Sequence, residues 1–138
     1  MPKKASARKK LTRRELRDLD IEISFLEGVA RRDPDFVEAL QLLGDSYTKR
    51  GQFDAGLQVD EQLSKLLPGD PMVLYNLACS YTLTKRQEQA VLTLLRAIEC
   101  GYHDFKWLMK DPDLQNLRRL PLFQKVRDII KRNKIQIK

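Results

Sequence analysis

The chain has 138 residues, 42% of them hydrophobic and 33% charged, with a formal net charge of +7. That is apolar enough for one core and polar enough for water, and no run approaches the ~18 apolar residues of a membrane span. Cys79 and Cys100 stand in no C-x-x-C spacing and cannot by themselves build a disulfide framework or a zinc site. The basic start MPKKASARKK is followed by no apolar stretch of the kind a secretory signal requires. These features predict a cytoplasmic protein with reduced thiols rather than a secreted, membrane-spanning or metal-stapled one. The charge is unevenly placed. Residues 1–17 carry eight Lys/Arg against Glu15, and residues 118–138 carry eight against Asp128. The body between them, 18–117, holds the other 10 basic and 17 acidic residues, so it is acidic with two basic ends.

In chain order, residues 1–11 form a basic tail expected to be disordered. Leu11-Thr12-Arg13-Arg14-Glu15-Leu16 then reads as a helix start. Thr12 caps, Glu15 completes a capping box, and Leu11 and Leu16 make a hydrophobic staple. The spacing predicts a helix from 12 to 32, within a unit ending at 33, stopped by Asp33-Pro34. Its apolar stripe is Leu16, Leu19, Ile23, Leu26 and Ala30, widened by Ile21, Phe25 and Val29.

From there the chain repeats itself every 34 residues. Leu40, Leu43 and Tyr47 fall on Leu74, Leu77 and Tyr81; Gly44 falls on Ala78; Pro34 falls on Pro68. The units are 37–70 and 71–104. Spacing of three and four puts the large residues on one helical face. The small residues Gly44 and Ala78, with Gly56 and Ala90 facing them, let paired helices approach closely. Phe105-Lys106-Trp107-Leu108 opens a third copy that Asp111-Pro112-Asp113 interrupts. Asp111 as N-cap and Pro112 at the first helical position restart a short helix. Leu120-Pro121 restarts a last one, with Leu122, Phe123, Val126, Ile129 and Ile130 on its apolar face. Residues 105–133 are read as a helical cap and 134–138 as a basic tail.

A 34-residue period with this pattern resembles the tetratricopeptide (TPR) repeat. The match runs over about 37–104, and the closing segment is similar to those that end many small bacterial TPR arrays. The chain departs from the pattern at Leu40, where Trp is preferred, and at Asp60, where a large apolar residue is usual. It departs again at Lys85, which replaces the inter-helix glycine. The resemblance implies an all-α short solenoid of antiparallel helix pairs. The 12–33 helix takes the second-helix slot of an incomplete preceding repeat and caps the stack, and the whole of 12–133 is one domain.

Catalysis needs a convergent nucleophile, base or metal set. The single histidine, His103, and the Asp111/Asp113 pair supply none, and no phosphate-loop or H-E-x-x-H motif occurs. No enzyme activity, catalytic residue, metal or cofactor is therefore expected. The resemblance implies instead a protein-binding adaptor or scaffold with a concave groove lined by Glu38, Gln41, Asp45, Thr48, Lys49, Met72, Tyr75, Asn76, Cys79 and Thr82. Clamp-type TPRs, which hold acidic C-terminal tails, place cationic and Asn side chains there. Asn76, Lys106 and Lys110 match, but Gln41 and Asp45 do not, and Asp45 would repel a carboxylate. Two further readings concern the ends. Lys3, Lys4, Arg8, Lys9, Lys10, Arg13, Arg14 and Arg17 form an arm for RNA or ribosomal phosphates, since cations in a helix's first turns oppose its dipole. Alternatively, Ile21 and Phe25 pair with a second copy to make a homodimer.

Overall fold

The computed structural model describes residues 10–137, so Lys3, Lys4, Arg8 and Lys9 lie outside the described residues. The helices are α1 (Arg13–Arg32), α2 (Val37–Arg50), α3 (Phe53–Leu66), α4 (Pro71–Leu83), α5 (Gln87–Glu99), α6 (Phe105–Leu108), α7 (Gln115–Arg118) and α8 (Gln124–Ile137). Single 3-10 turns stand at Pro112–Leu114 and Pro121–Phe123. Each of α1 to α5 packs on its neighbour in sequence, and α8 folds back on α5. The fold is an all-α TPR-like solenoid.

The period of 34 is visible in the bonds themselves. α2, α4 and α6 start one period apart, as do α3 and α5. Tyr47 Oη donates to the Glu27 carboxylate, and one period on Tyr81 Oη donates to Glu61 at 3.1 Å. Gln62 donates to the carbonyl of Pro34 at 2.6 Å, and Arg96 to that of Pro68 at 3.3 Å. Gly51 and Lys85 both turn with positive φ, +86° and +64°. The departure at Lys85 thus keeps the backbone of the glycine turn and accepts its strain.

Local chemistry sets the helix starts. The Thr12 hydroxyl accepts from Glu15 N–H at 3.1 Å, and Glu15 accepts from Thr12 N–H at 2.9 Å, a complete capping box. Asp70 accepts from the N–H groups of Met72 and Val73, with Pro71 at the first helical position. Inside each pair the small residues meet. A Cβ on Gly56 would lie 3.2 Å from Thr48 Oγ1 and 3.7 Å from the Gly44 carbonyl oxygen. Ala78 and Ala90 are fully buried at the equivalent positions.

The third repeat starts in register and then breaks. Asp104 caps α6 by accepting from Trp107 N–H, as its equivalent Asp70 caps α4. Pro112 has no N–H and holds Asp111 extended, so α6 ends after one turn. Arg118 answers the break by donating to the carbonyls of Leu108 (3.0 Å) and Asp111 (2.7 Å). Burial lowers the Arg118 pKa, with Asp111 opposing the shift. Phe123 and Val126 then anchor the last turn and α8 with no exposure at all.

Two expectations need correction. Ile21 and Phe25 do not widen the buried stripe of α1; they are 63% and 69% exposed, because among the described residues α1 has a helix on one side only. Leu19, Ile23 and Leu26 alone are buried there. The last helix also continues through the residues read as a tail, to Ile137.

The inter-helix turn offers a paired test. A Cβ on Gly51 meets nothing within 4 Å, so Gly51→Ala is expected to cost about 1 kcal/mol through backbone strain alone. Lys85→Gly, relieving the same strain, should be neutral or slightly stabilising. Urea midpoints of the two variants check both signs.

Candidate functional site

α2 and α4 are the first helices of the two units, and their matching residues lie one period apart: Glu38 and Met72, Gln41 and Tyr75, Leu42 and Asn76, Asp45 and Cys79. The two sets meet different fates. Glu38, Gln41, Leu42 and Asp45 of α2 face Met72, Val73 and Asn76 of α4 across an open cavity of about 400 Å³, with Asp60 and Leu63 of α3 at its base. Five of the anticipated residues therefore gather in one place: Glu38, Gln41, Asp45, Met72 and Asn76.

Tyr75 and Cys79 do not belong to it. Both are wholly buried, because the turn after α6 lies on α4 and fills the groove there. Tyr75 Oη donates to Asp111 Oδ2 at 2.7 Å, and Cys79 Sγ approaches the same oxygen at 3.8 Å. The Tyr75 ring stacks on Tyr102 at 4.3 Å between centroids. The groove expected to include them is covered here by residues more than thirty positions downstream. Thr48 and Thr82 are also buried and turn inward, donating to the carbonyls of Gly44 and Ala78. Lys49 is exposed on the last turn of α2, outside the cavity lining. Leu42 was missed, although its place one period before Asn76 marks it; it is 54% exposed.

Charge and hydrogen bonding give the cavity its character. Among the described residues its lining holds three carboxylates, Glu38, Asp45 and Asp60. Asp60 is buried and accepts from the Ser80 hydroxyl, tying α3 to α4. This partner explains how a carboxylate stands where a large apolar residue is usual. The Asn76 amide oxygen is buried and has no hydrogen-bond partner among the described residues. Lys106 and Lys110, the other clamp matches, are exposed in the cap and do not line the cavity.

The other candidates are more scattered. Cys79, Asp111 and Asp113 bring ligand atoms within 4.8 Å of one another, the one group that could hold a metal ion among the described residues. Asp111 is already engaged there by Tyr75 and by the N–H of Asp113 at 2.9 Å, the bonds of a helix cap. Lys10, Arg13, Arg14 and Arg17 are exposed at the start of α1. His103 is exposed, its Nδ1 3.0 Å from the Gly101 carbonyl oxygen. No helix among the described residues is long and apolar enough to cross a membrane.

Fold and groove together define a short TPR-like solenoid with an open first unit and a covered second one. No family model matches the chain. It is 34% identical over 96 residues to a chloroplastic protein of Arabidopsis thaliana, a match that covers 67% of this chain and 27% of that protein. It is 31% identical over 94 residues to the PEX5-related protein of Mus musculus, covering 68% and 16%. The chain thus spans about a quarter and a sixth of the curated relatives it matches.

Two outcomes follow from the buried polar groups. Asp111→Ala removes the acceptor for Tyr75 and the cap of the turn, and should cost about 2–4 kcal/mol. In a Cys100→Ser background it should also speed labelling of Cys79 by a thiol reagent, since its cover is loosened. The second outcome concerns pH. All four tyrosines have raised pKa values, led in each case by burial; Tyr47, helped by Glu27, rises to about 12. Their neutral forms stabilise the fold fully below the ordinary tyrosine value, and this is lost as pH climbs past it. Urea midpoints should fall from about pH 10 upward, and less steeply in Tyr47→Phe.

Proposed function

We propose that this protein is a non-enzymatic adaptor that binds a peptide segment of a protein partner in the cavity between α2 and α4. The observation that carries this reading is the open cavity itself, walled by α2 and α4. Leu42 and Met72 in its lining offer apolar contact at the mouth. The similarity to the PEX5-related protein agrees with a binding role and carries no partner with it. Because Asp111 and its turn close the second unit, the ligand is short.

The test is an unbiased peptide display followed by calorimetry on the selected sequences. Leu42→Arg, which blocks the groove, should weaken binding at least tenfold. Leu92→Arg, at a 65% exposed position on α5, should leave it unchanged. Selected peptides indifferent to Leu42→Arg would place the interaction elsewhere and end this reading.

A further inference from the structure

We infer that two copies of this protein pair through the outer face of α1, antiparallel about a two-fold axis at Phe25, with Asp18 of each copy against Arg32 of the other. The pairing uses no residue of the α2/α4 cavity, and groove binding can fail without touching it.

α1 packs on α2 through Leu19, Ile23 and Leu26. Arg14, Asp18, Ile21, Phe25, Gly28 and Arg32 form a stripe on the opposite face, spaced alternately four and three residues. Such spacing is the seam of a helix that meets another helix side by side. Single exposed apolar side chains are ordinary on a surface. Ile21 and Phe25 differ in standing on adjacent turns of one seam, 63% and 69% exposed.

Gly28 lies on the same seam and needs a reason, since glycine weakens a helix interior. The packed glycines of this fold have one: a Cβ on Gly44 or Gly56 would lie 3.2 Å from a side-chain oxygen. A Cβ on Gly28 would meet only Arg31 Nη2, at 3.9 Å, so among the described residues nothing requires a glycine there. A second helix laid along the seam does require it. The missing side chain leaves a hollow that a large one from the facing helix can enter.

Charge selects the occupant. Asp18 and Arg32 are exposed on either side of the apolar pair, about 21 Å apart along the helix. An antiparallel second copy brings three kinds of layer into register. Phe25 meets Phe25 on the axis, Ile21 enters the hollow at Gly28, and Asp18 meets Arg32. The two-fold makes each of the last two contacts twice. A parallel copy would instead set Asp18 on Asp18, Arg32 on Arg32 and Gly28 on Gly28, which repels at both ends and leaves a void. Arg14 falls beyond the end of the facing α1 and takes no part in the register. One seam buries less than about 1,200 Å², the low end of specific interfaces, so the dimer dissociates on the order of tens of micromolar.

The test is sedimentation equilibrium of the full chain from about 5 to 500 µM, with circular dichroism as the check on the fold of every variant. The average mass should climb from 16.1 kDa toward twice that value. Phe25→Glu, which sets two carboxylates on the axis, should hold the chain at 16.1 kDa throughout. Gly28→Leu should do the same by filling the hollow, with an unfolding midpoint no lower than that of the natural chain. Asp18→Arg and Arg32→Asp should each weaken the dimer about tenfold. The double variant restores both pairs with their charges exchanged and should recover most of that loss. A chain monomeric across the range overturns the inference and leaves the face to a partner of another kind. A dimer that Phe25→Glu or Gly28→Leu leaves intact overturns it by placing the contact elsewhere. Failure of the charge exchange to recover the dimer overturns it by excluding this register.

Discussion

The architecture depends on one buried carboxylate. Asp111 has no exposed surface, yet it sits in the chain where an apolar solenoid helix was under way. Pro112 breaks that helix, and a broken helix in a core leaves donors and acceptors that must find partners. Asp111 resolves most of this within one residue. One of its oxygens caps the new turn through the N–H of Asp113, and the other accepts from Tyr75 across the groove. Arg118 takes the freed carbonyls. A pair of this kind is costly to break from one side only, because the remaining group stays buried. The cap is therefore held by a polar contact of fixed geometry on a packed apolar floor of Leu108, Leu114 and Leu117.

That contact divides the molecule. A solenoid has equivalent surfaces in each unit, and its units are stabilised by their neighbours. Here the equivalence holds for the buried side: the Tyr–Glu bonds, the side-chain bonds to Pro34 and Pro68, and the close approach of small residues all recur one period apart. It fails on the concave side. Tyr75 and Cys79 have become floor for the cap, while Gln41 and Asp45 at the same repeat positions face an open cavity. The cap thus acts on α4 much as a bound ligand would, and it fixes where the groove stops.

Most of the fold was legible because the determinants are local or periodic. The capping box at Thr12 and Glu15, the stop at Asp33-Pro34 and the break at Asp111-Pro112 are each readable in a few residues. The pairing of α2 with α3 and of α4 with α5 follows from small residues one period apart. Contacts between distant segments were not legible. Nothing near Tyr75 says that Asp111 will cover it, and its amphipathic position is compatible with either a groove or a core. Ile21 and Phe25 mislead for the converse reason. Their spacing widens an apolar face, but no helix precedes α1 among the described residues to bury it. Asp60 defied the repeat pattern because its partner, Ser80, belongs to the next unit.

The same division sorts the charge. Carboxylates line the open cavity of the first unit, and at Asp111 and Asp113 they are turned inward. A groove of uniform lining would select little beyond length. This one is polar at Asn76, apolar at Leu42 and Met72, and acidic along α2, so polar and apolar groups share each wall. A ligand that fits such a lining must present polar and apolar groups in fixed register. Discrimination in such a site comes as much from the partners it repels as from those it attracts. For a scaffold this small, that repulsion is the economical source of selectivity, since a closed second unit leaves little further area with which to distinguish one sequence from another.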